Sequence, residues 1–220
     1  MKMRNVMTLA LVALSLVFVG CDKNNDEKPK EIVKKTQKID ATKYEMWTYV
    51  NLETGQTETH RDFSEWHVME KGKLLETIPA KGSEADIKIK WHIAIHRFDI
   101  RTNEGEAIAT KETEFNKVIR LPSGDYKKDI EVKDQVRVGF NTADMMKRKF
   151  TVAGMAKVNP VLNKWMNVDM STMPPTYTMS NLVYIVKFKD GSHAKLKFTD
   201  HLSSVGKTGH VTFQYEFQPK

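Results

Sequence analysis

The sequence predicts an all-β protein, mainly antiparallel, with a few short helices. Three observations carry this. Apolar and polar residues alternate with a period of two in several stretches, turns bearing glycine or asparagine separate those stretches, and no long helical period runs through them. The chain of 220 residues also divides by composition into a leader, a polar tether and one domain.

Residues 1–20 open with Lys2 and Arg4, pass into a 14-residue apolar run over 7–20 and meet Cys21, the one cysteine of the chain. The run is short of the ~20 residues that span a bilayer. A charged start, an apolar middle and a cleavable end make a signal peptide. With cysteine next, the pattern predicts a lipoprotein in which Cys21 is the acylated first residue. A plain signal peptide followed by an unmodified cysteine is the alternative. Residues 21–43 begin Asp22-Lys23-Asn24-Asn25-Asp26-Glu27-Lys28-Pro29-Lys30, polar and without apolar anchors, and are assigned to a disordered tether. Residues 44–220 then form a single domain, because no linker interrupts 44–217.

Within the domain, residues 44–50 alternate, Thr54-Gly55 supplies a turn, and residues 66–69 lead into Lys71-Gly72 as the start of a hairpin. Trp91, Ile93 and Ile95 alternate with His92, Ala94 and His96. That predicts a half-buried strand within 86–98, followed by a turn at Asn103 and Gly105. Further strands are expected at 114–120, 135–140, 183–189, 195–199 and 211–217. Short helices are expected at 141–149, where an Asn-x-x-Asp start offers a cap, and at 160–165. No internal repeat is visible, which excludes solenoids and propellers.

Loss of Lys2 and Arg4 with the leader takes the 35 basic residues to 33 against 28 acidic ones, a net charge of +5. The excess favours anionic ligands. The basic residues are scattered along alternating strands with no recognition helix or aromatic-basic motif, which argues against nucleic acid. A lone cysteine rules out an intrachain disulfide. No Gly-x-Ser-x-Gly, phosphate loop, Cys-His dyad or framed carboxylate pair is present, so an enzyme is not expected. His92 and His96 have the spacing of a helical zinc pair. On a strand they stand about 13 Å apart, too far for one ion, and read as structural.

Seven of the twelve methionines fall between residues 145 and 179: Met145, Met146, Met155, Met166, Met170, Met173 and Met179. Methionine fills irregular cores and adaptable surfaces without binding anything, so the cluster alone decides nothing.

The stretch Trp91-His92-Ile93-Ala94-Ile95-His96-Arg97, continued by Ile100-Arg101-Thr102-Asn103 and Gly105, resembles the W-D-I-A-F-H-R-x-x-I-R-T-N-x-G signature of HmuY-like haem-binding lipoproteins of the Bacteroidetes. His92 stands where that family usually has aspartate. Residues 177–184, Lys189-Asp190-Gly191 and 209–216 are similar to the family's closing strands, so the resemblance covers roughly 44–217.

The resemblance implies an HmuY-like β fold and a haemophore-like function. Haem b (iron protoporphyrin IX) would be captured outside the cell, from host haemoproteins, and passed to an outer-membrane TonB-dependent haem receptor. It implies an outer-membrane lipoprotein held by its lipid anchor and surface-exposed, given the acidic tether, or released in soluble or vesicle-borne form. The best-known members hold the iron between two histidines of the middle region. Here no histidine lies between His96 and His193, so either haem is not bound or another donor replaces imidazole. Some members are similar in using methionine. The positions that best suit that scheme are Met145 and Met173, the latter ahead of the stiffening Pro174-Pro175, with Met146 and Met170 as alternates. The remaining methionines of the cluster, with Trp165, Tyr177, Phe150 and Val161, are candidate porphyrin walls, and Lys147, Arg148, Lys149 and Lys164 candidate propionate partners. A surface adhesin or glycan-binding lipoprotein on the same scaffold, and a binder of metal-free porphyrin, remain open alternatives.

Overall fold

Residues 208–218 alternate between buried and part-exposed side chains, and they form the longest strand, Thr208–Gln218. The computed structural model describes residues 33–220 except 173. Thr208–Gln218 pairs antiparallel with Lys35–Asp40 on one side and with His193–Leu202 on the other. Tyr184–Lys187, Glu106–Ala109 and Lys127–Lys128 complete a six-stranded sheet. Two four-stranded sheets stand beside it. In one, Met46–Val50 lies between Thr57–Arg61 and Ile93–His96, with Asp99–Thr102 at the edge; in the other, the order is Arg137–Gly139, Lys149–Ala153, Trp66–Glu70 and Lys73–Ile78. Two ribbons, Ile130–Lys133 with Met155–Val158 and Met166–Asp169 with Thr176–Met179, finish the β structure. Each of these pairings is antiparallel, and the described residues contain one α-helix, Thr142–Met146, and three short 3₁₀ turns.

The strand Ile93–His96 is buried along its whole length, not on one face as its alternation suggests. Ile93 and Ile95 belong to a core with Leu162, Trp165, Phe198, Phe213 and Tyr215. Ala94 faces the opposite way, into a second core with Trp47, Tyr49, Trp66 and Val138. A strand dividing two cores has no solvent face, so His92 and His96 are buried with it and must find partners. The backbone N–H of Leu52 donates to His92 Nδ1 (3.0 Å), and His96 Nε2 lies 2.5 Å from the carbonyl oxygen of Tyr44. Both imidazoles are thus bonded to main chain.

Three expectations are corrected. The strand expected at 114–120 is instead a 3₁₀ turn, Phe115–Lys117, because Phe115 and Val118 are buried three positions apart while Ile119 is exposed. The strand expected over 86–98 is confined to Ile93–His96; a 3₁₀ turn occupies Glu84–Asp86, and Arg97 at φ 50° reverses the chain. Lys35–Asp40 is an edge strand inside the segment 21–43 assigned to a tether. Of its six residues only Ile39 is buried. Backbone pairing with a long neighbour holds it, and such pairing leaves no apolar period to read. The leader and Cys21 lie outside the described residues.

Candidate functional site

A cleft of about 970 Å³ opens where three pieces of chain converge: the hairpin turn after His96, the helix Thr142–Met146, and the ribbon Met166–Asp169 with Thr176–Met179. The helix starts at Asn141, whose side-chain oxygen accepts from the N–H of Ala143 (3.0 Å), the cap expected from the sequence. It ends within five residues, and Arg148 then adopts φ 55° to turn the chain into Lys149–Ala153. Met145 and Met146 therefore sit at the tip of a short, capped projection. Asn141→Ala is expected to cost about 1 kcal/mol locally, read as roughly fivefold faster hydrogen exchange of the helix amides.

The ribbon forms the facing wall. Its register sets Val168 opposite Tyr177, and both line the cleft with Met166, Met170 and Pro175. Trp165 underlies the floor: it is fully buried, donates from Nε1 to the carbonyl oxygen of Phe98 (2.9 Å) and stacks on Phe198. Phe98 is thereby held with its ring centroid 5.6 Å from that of Tyr177. On the other side Tyr44 stacks on Phe140 at 5.2 Å, the rings nearly parallel.

Three cations, Arg97, Arg137 and Lys207, line the cleft against one acid, Asp99. Asn163 donates to Asp99 (3.1 Å), and the guanidinium of Arg97 lies 4.4 Å from the centre of the Tyr44 ring while donating to the carbonyl oxygens of Ala41 and Thr42. Gly209 makes room for it. At φ 92° the position suits glycine, and any Cβ there would fall on the Arg97 guanidinium. His96 is the one imidazole lining the cleft. Its Nε2 is engaged with Tyr44 and its Nδ1 faces Asp99 at 3.4 Å, which leaves neither nitrogen free for a ligand.

Met145, Met146 and Met170 thus come together in one cleft, joined by Met166, which the sequence offers as a wall residue and not as a ligand. Met173 lies outside the described residues. Of the proposed wall residues Tyr177 lines the cleft, as Met166 does, while Met155 and Met179 do not. Trp165 lies beneath it, Val161 packs against the core, and Phe150 borders a smaller cavity with Met145 and Lys149. Lys147, Arg148 and Lys164 are not among the lining residues. The cations that do line it come from distant segments, and only the turn residue Arg97 stood inside a recognised motif. Exposed apolar side chains gather at the mouth: Met146 is 89% exposed, Met170 51% and Phe140 47%. Grouped apolar exposure of this kind marks a surface that meets a ligand or partner.

A family model described as HmuY protein matches residues 43–215. An apo HmuY analogue of Tannerella forsythia is 73% identical, with a TM-score of 0.83 over 88% of this chain and 100% of that one. Apo PinO from Porphyromonas gingivitis is 32% identical, with a TM-score of 0.77 over 86% and 98%. A protein of Bacteroides vulgatus described as an HmuY-like heme-binding protein is 32% identical, with a TM-score of 0.66 over 83% and 90%. No curated protein matches the chain.

Proposed function

Because the chain belongs to the HmuY family, we propose that it is a haem-binding, haemophore-like lipoprotein and that the methionine-lined cleft is its haem site. The observation that carries this reading is the meeting of thioethers, aromatic walls and cations in one opening. Its volume of about 970 Å³ lies at the upper end of the ~300–1,000 Å³ usual for small-ligand pockets. The residues fit the group. Tyr44, Phe98, Phe140, Val168 and Tyr177 offer flat apolar contact, Arg97, Arg137 and Lys207 offer positive charge to two propionates, and the methionines offer soft neutral donors. Haem, when bound, would supply an iron centre for these soft donors to hold.

Met145 from the helix and Met173, the residue before Pro174-Pro175 in sequence, are the proposed axial pair, with Met146 and Met170 as alternates. A thioether favours ferrous over ferric iron and takes up no proton near pH 5. Imidazole, with an ordinary pKa of ~6.5, would be protonated there. The chain itself therefore captures and releases, with no covalent step. In this reading Cys21 carries the lipid, residues after it tether the domain at the outer membrane, haem comes from host haemoproteins, and a TonB-dependent receptor receives it.

The test is a haem titration of the purified protein, followed by absorption under air and with dithionite, alongside Met145→Ala, Met173→Ala, Met146→Ala and Met170→Ala. A saturable low-spin ferrous spectrum, lost in the first two variants and kept in the others, is expected. Tighter binding of ferric than ferrous haem would defeat the thioether assignment. No saturable change in either redox state would remove haem altogether and favour an adhesin or glycan-binding role.

A further inference from the structure

Thioether sulfur is oxidised where oxidants can reach it. Around the cleft, Met146 and Met170 are exposed and Met145 is half-buried, while Met166 is only 6% exposed in the core. Met155, 49% exposed, provides an internal comparison, because it lines a separate cavity with Trp47, Phe63 and Arg101.

We propose that the cleft methionines are oxidation sites, and that a peroxide-class oxidant switches haem capture off by converting them to sulfoxides. The inference rests on the haem reading above. In the step, the sulfur lone pair attacks one peroxide oxygen. The S–O bond forms as the O–O bond breaks, sulfur loses two electrons, and the other oxygen leaves as water after taking up a proton. The product has given up the soft donor and gained a strongly polar oxygen within an apolar opening, which disfavours ligation and contact with a porphyrin face. Methionine sulfoxide reductases reverse the change, so the device is a switch and not damage alone.

The test treats the purified protein with graded hydrogen peroxide, removes it, maps sulfoxide at each methionine by peptide mass spectrometry, and titrates ferrous haem before and after incubation with reductases of both epimer specificities. Circular dichroism confirms the fold at each dose. Met146 and Met170 are expected to convert first and Met166 last, with haem affinity falling about tenfold or more and returning after reduction. Met155→Leu is expected to lose and regain binding in the same way as the parent. Undiminished binding with Met145, Met146 and Met170 fully converted, or a loss that reductases do not reverse, would overturn the proposal. Untreated protein that binds no haem would instead overturn the reading of the cleft on which it stands.

Discussion

Trp165→Ala is expected to lower stability by about 3–5 kcal/mol, the range for emptying a fully buried tryptophan site. The indole is the largest of the fully buried side chains, with its face on Phe198 at 4.6 Å and its N–H on the carbonyl oxygen of Phe98. Truncation leaves a cavity between the six-stranded sheet and the cleft, and it orphans that carbonyl. Trp165→Phe keeps most of the ring and loses chiefly the hydrogen bond, so about 1–2 kcal/mol is expected for it. Urea unfolding at constant slope measures both. Because Phe98 stands between Trp165 and Tyr177, the alanine variant is also expected to loosen the cleft floor and weaken ligand binding beyond what its unfolded fraction explains. A loss under about 1 kcal/mol would mean that the core collapses around the gap, and that Trp165 does not support the floor.

The strands whose alternation is clearest in the sequence are two with one wet face. Thr208–Gln218 and His193–Leu202 keep an apolar period across a two-sided sheet, and both fall where the alternation places them. Thr57–Arg61 carries the sequence TETHR, with nothing apolar to count. It exists because Met46–Val50 offers it a ladder. Phe115 and Val118 misled in the opposite sense, their apolar character serving a turn.

The cleft shows the same division. Methionine density between residues 145 and 179 marked the helix and the ribbon that faces it, since a run of soft side chains is visible in one dimension. The rest of the lining is assembled by topology. Arg97 reaches the cleft from a hairpin turn, Lys207 from the start of the last strand and Tyr44 from before Met46–Val50. No local pattern links them, and the space for Arg97 is made by Gly209, more than a hundred residues later.

Acid is expected to destabilise this fold through His92. Its Nδ1 accepts from the N–H of Leu52, so the neutral ring carries its proton on Nε2, a buried atom with no partner, and the ring packs on Phe188 and Phe217. Burial pushes its pKa down to about 4, and the nearby Lys90 ammonium acts in the same direction, while Asp190 and Glu53 oppose them. In the unfolded chain the imidazole titrates at ~6.5. As pH falls from 6.5 the unfolded state therefore binds a proton that the native state refuses. Stability fully present above pH 6.5 drains away down to about pH 4 and is level below, a loss of at most about 3 kcal/mol. His193, also lowered by burial, adds in the same sense. His67 opposes, because Asp134 and Glu65 raise its pKa. Asp190, held low by Lys90, adds a carboxylate loss at lower pH. His92→Asn separates the first effect from the rest: its side-chain oxygen can still accept from Leu52, and it does not titrate. The variant is expected to unfold in urea with a flatter dependence between pH 6.5 and 4, while the other groups contribute equally to both proteins. Under the proposed thioether ligation, haem loss on acidification of the parent reports this unfolding and not ligand protonation. His92→Asn should therefore hold ferrous haem to lower pH. Identical pH profiles of stability in the two proteins would show that His92 takes up its proton in the native state without cost, and would return the acid response to the cleft.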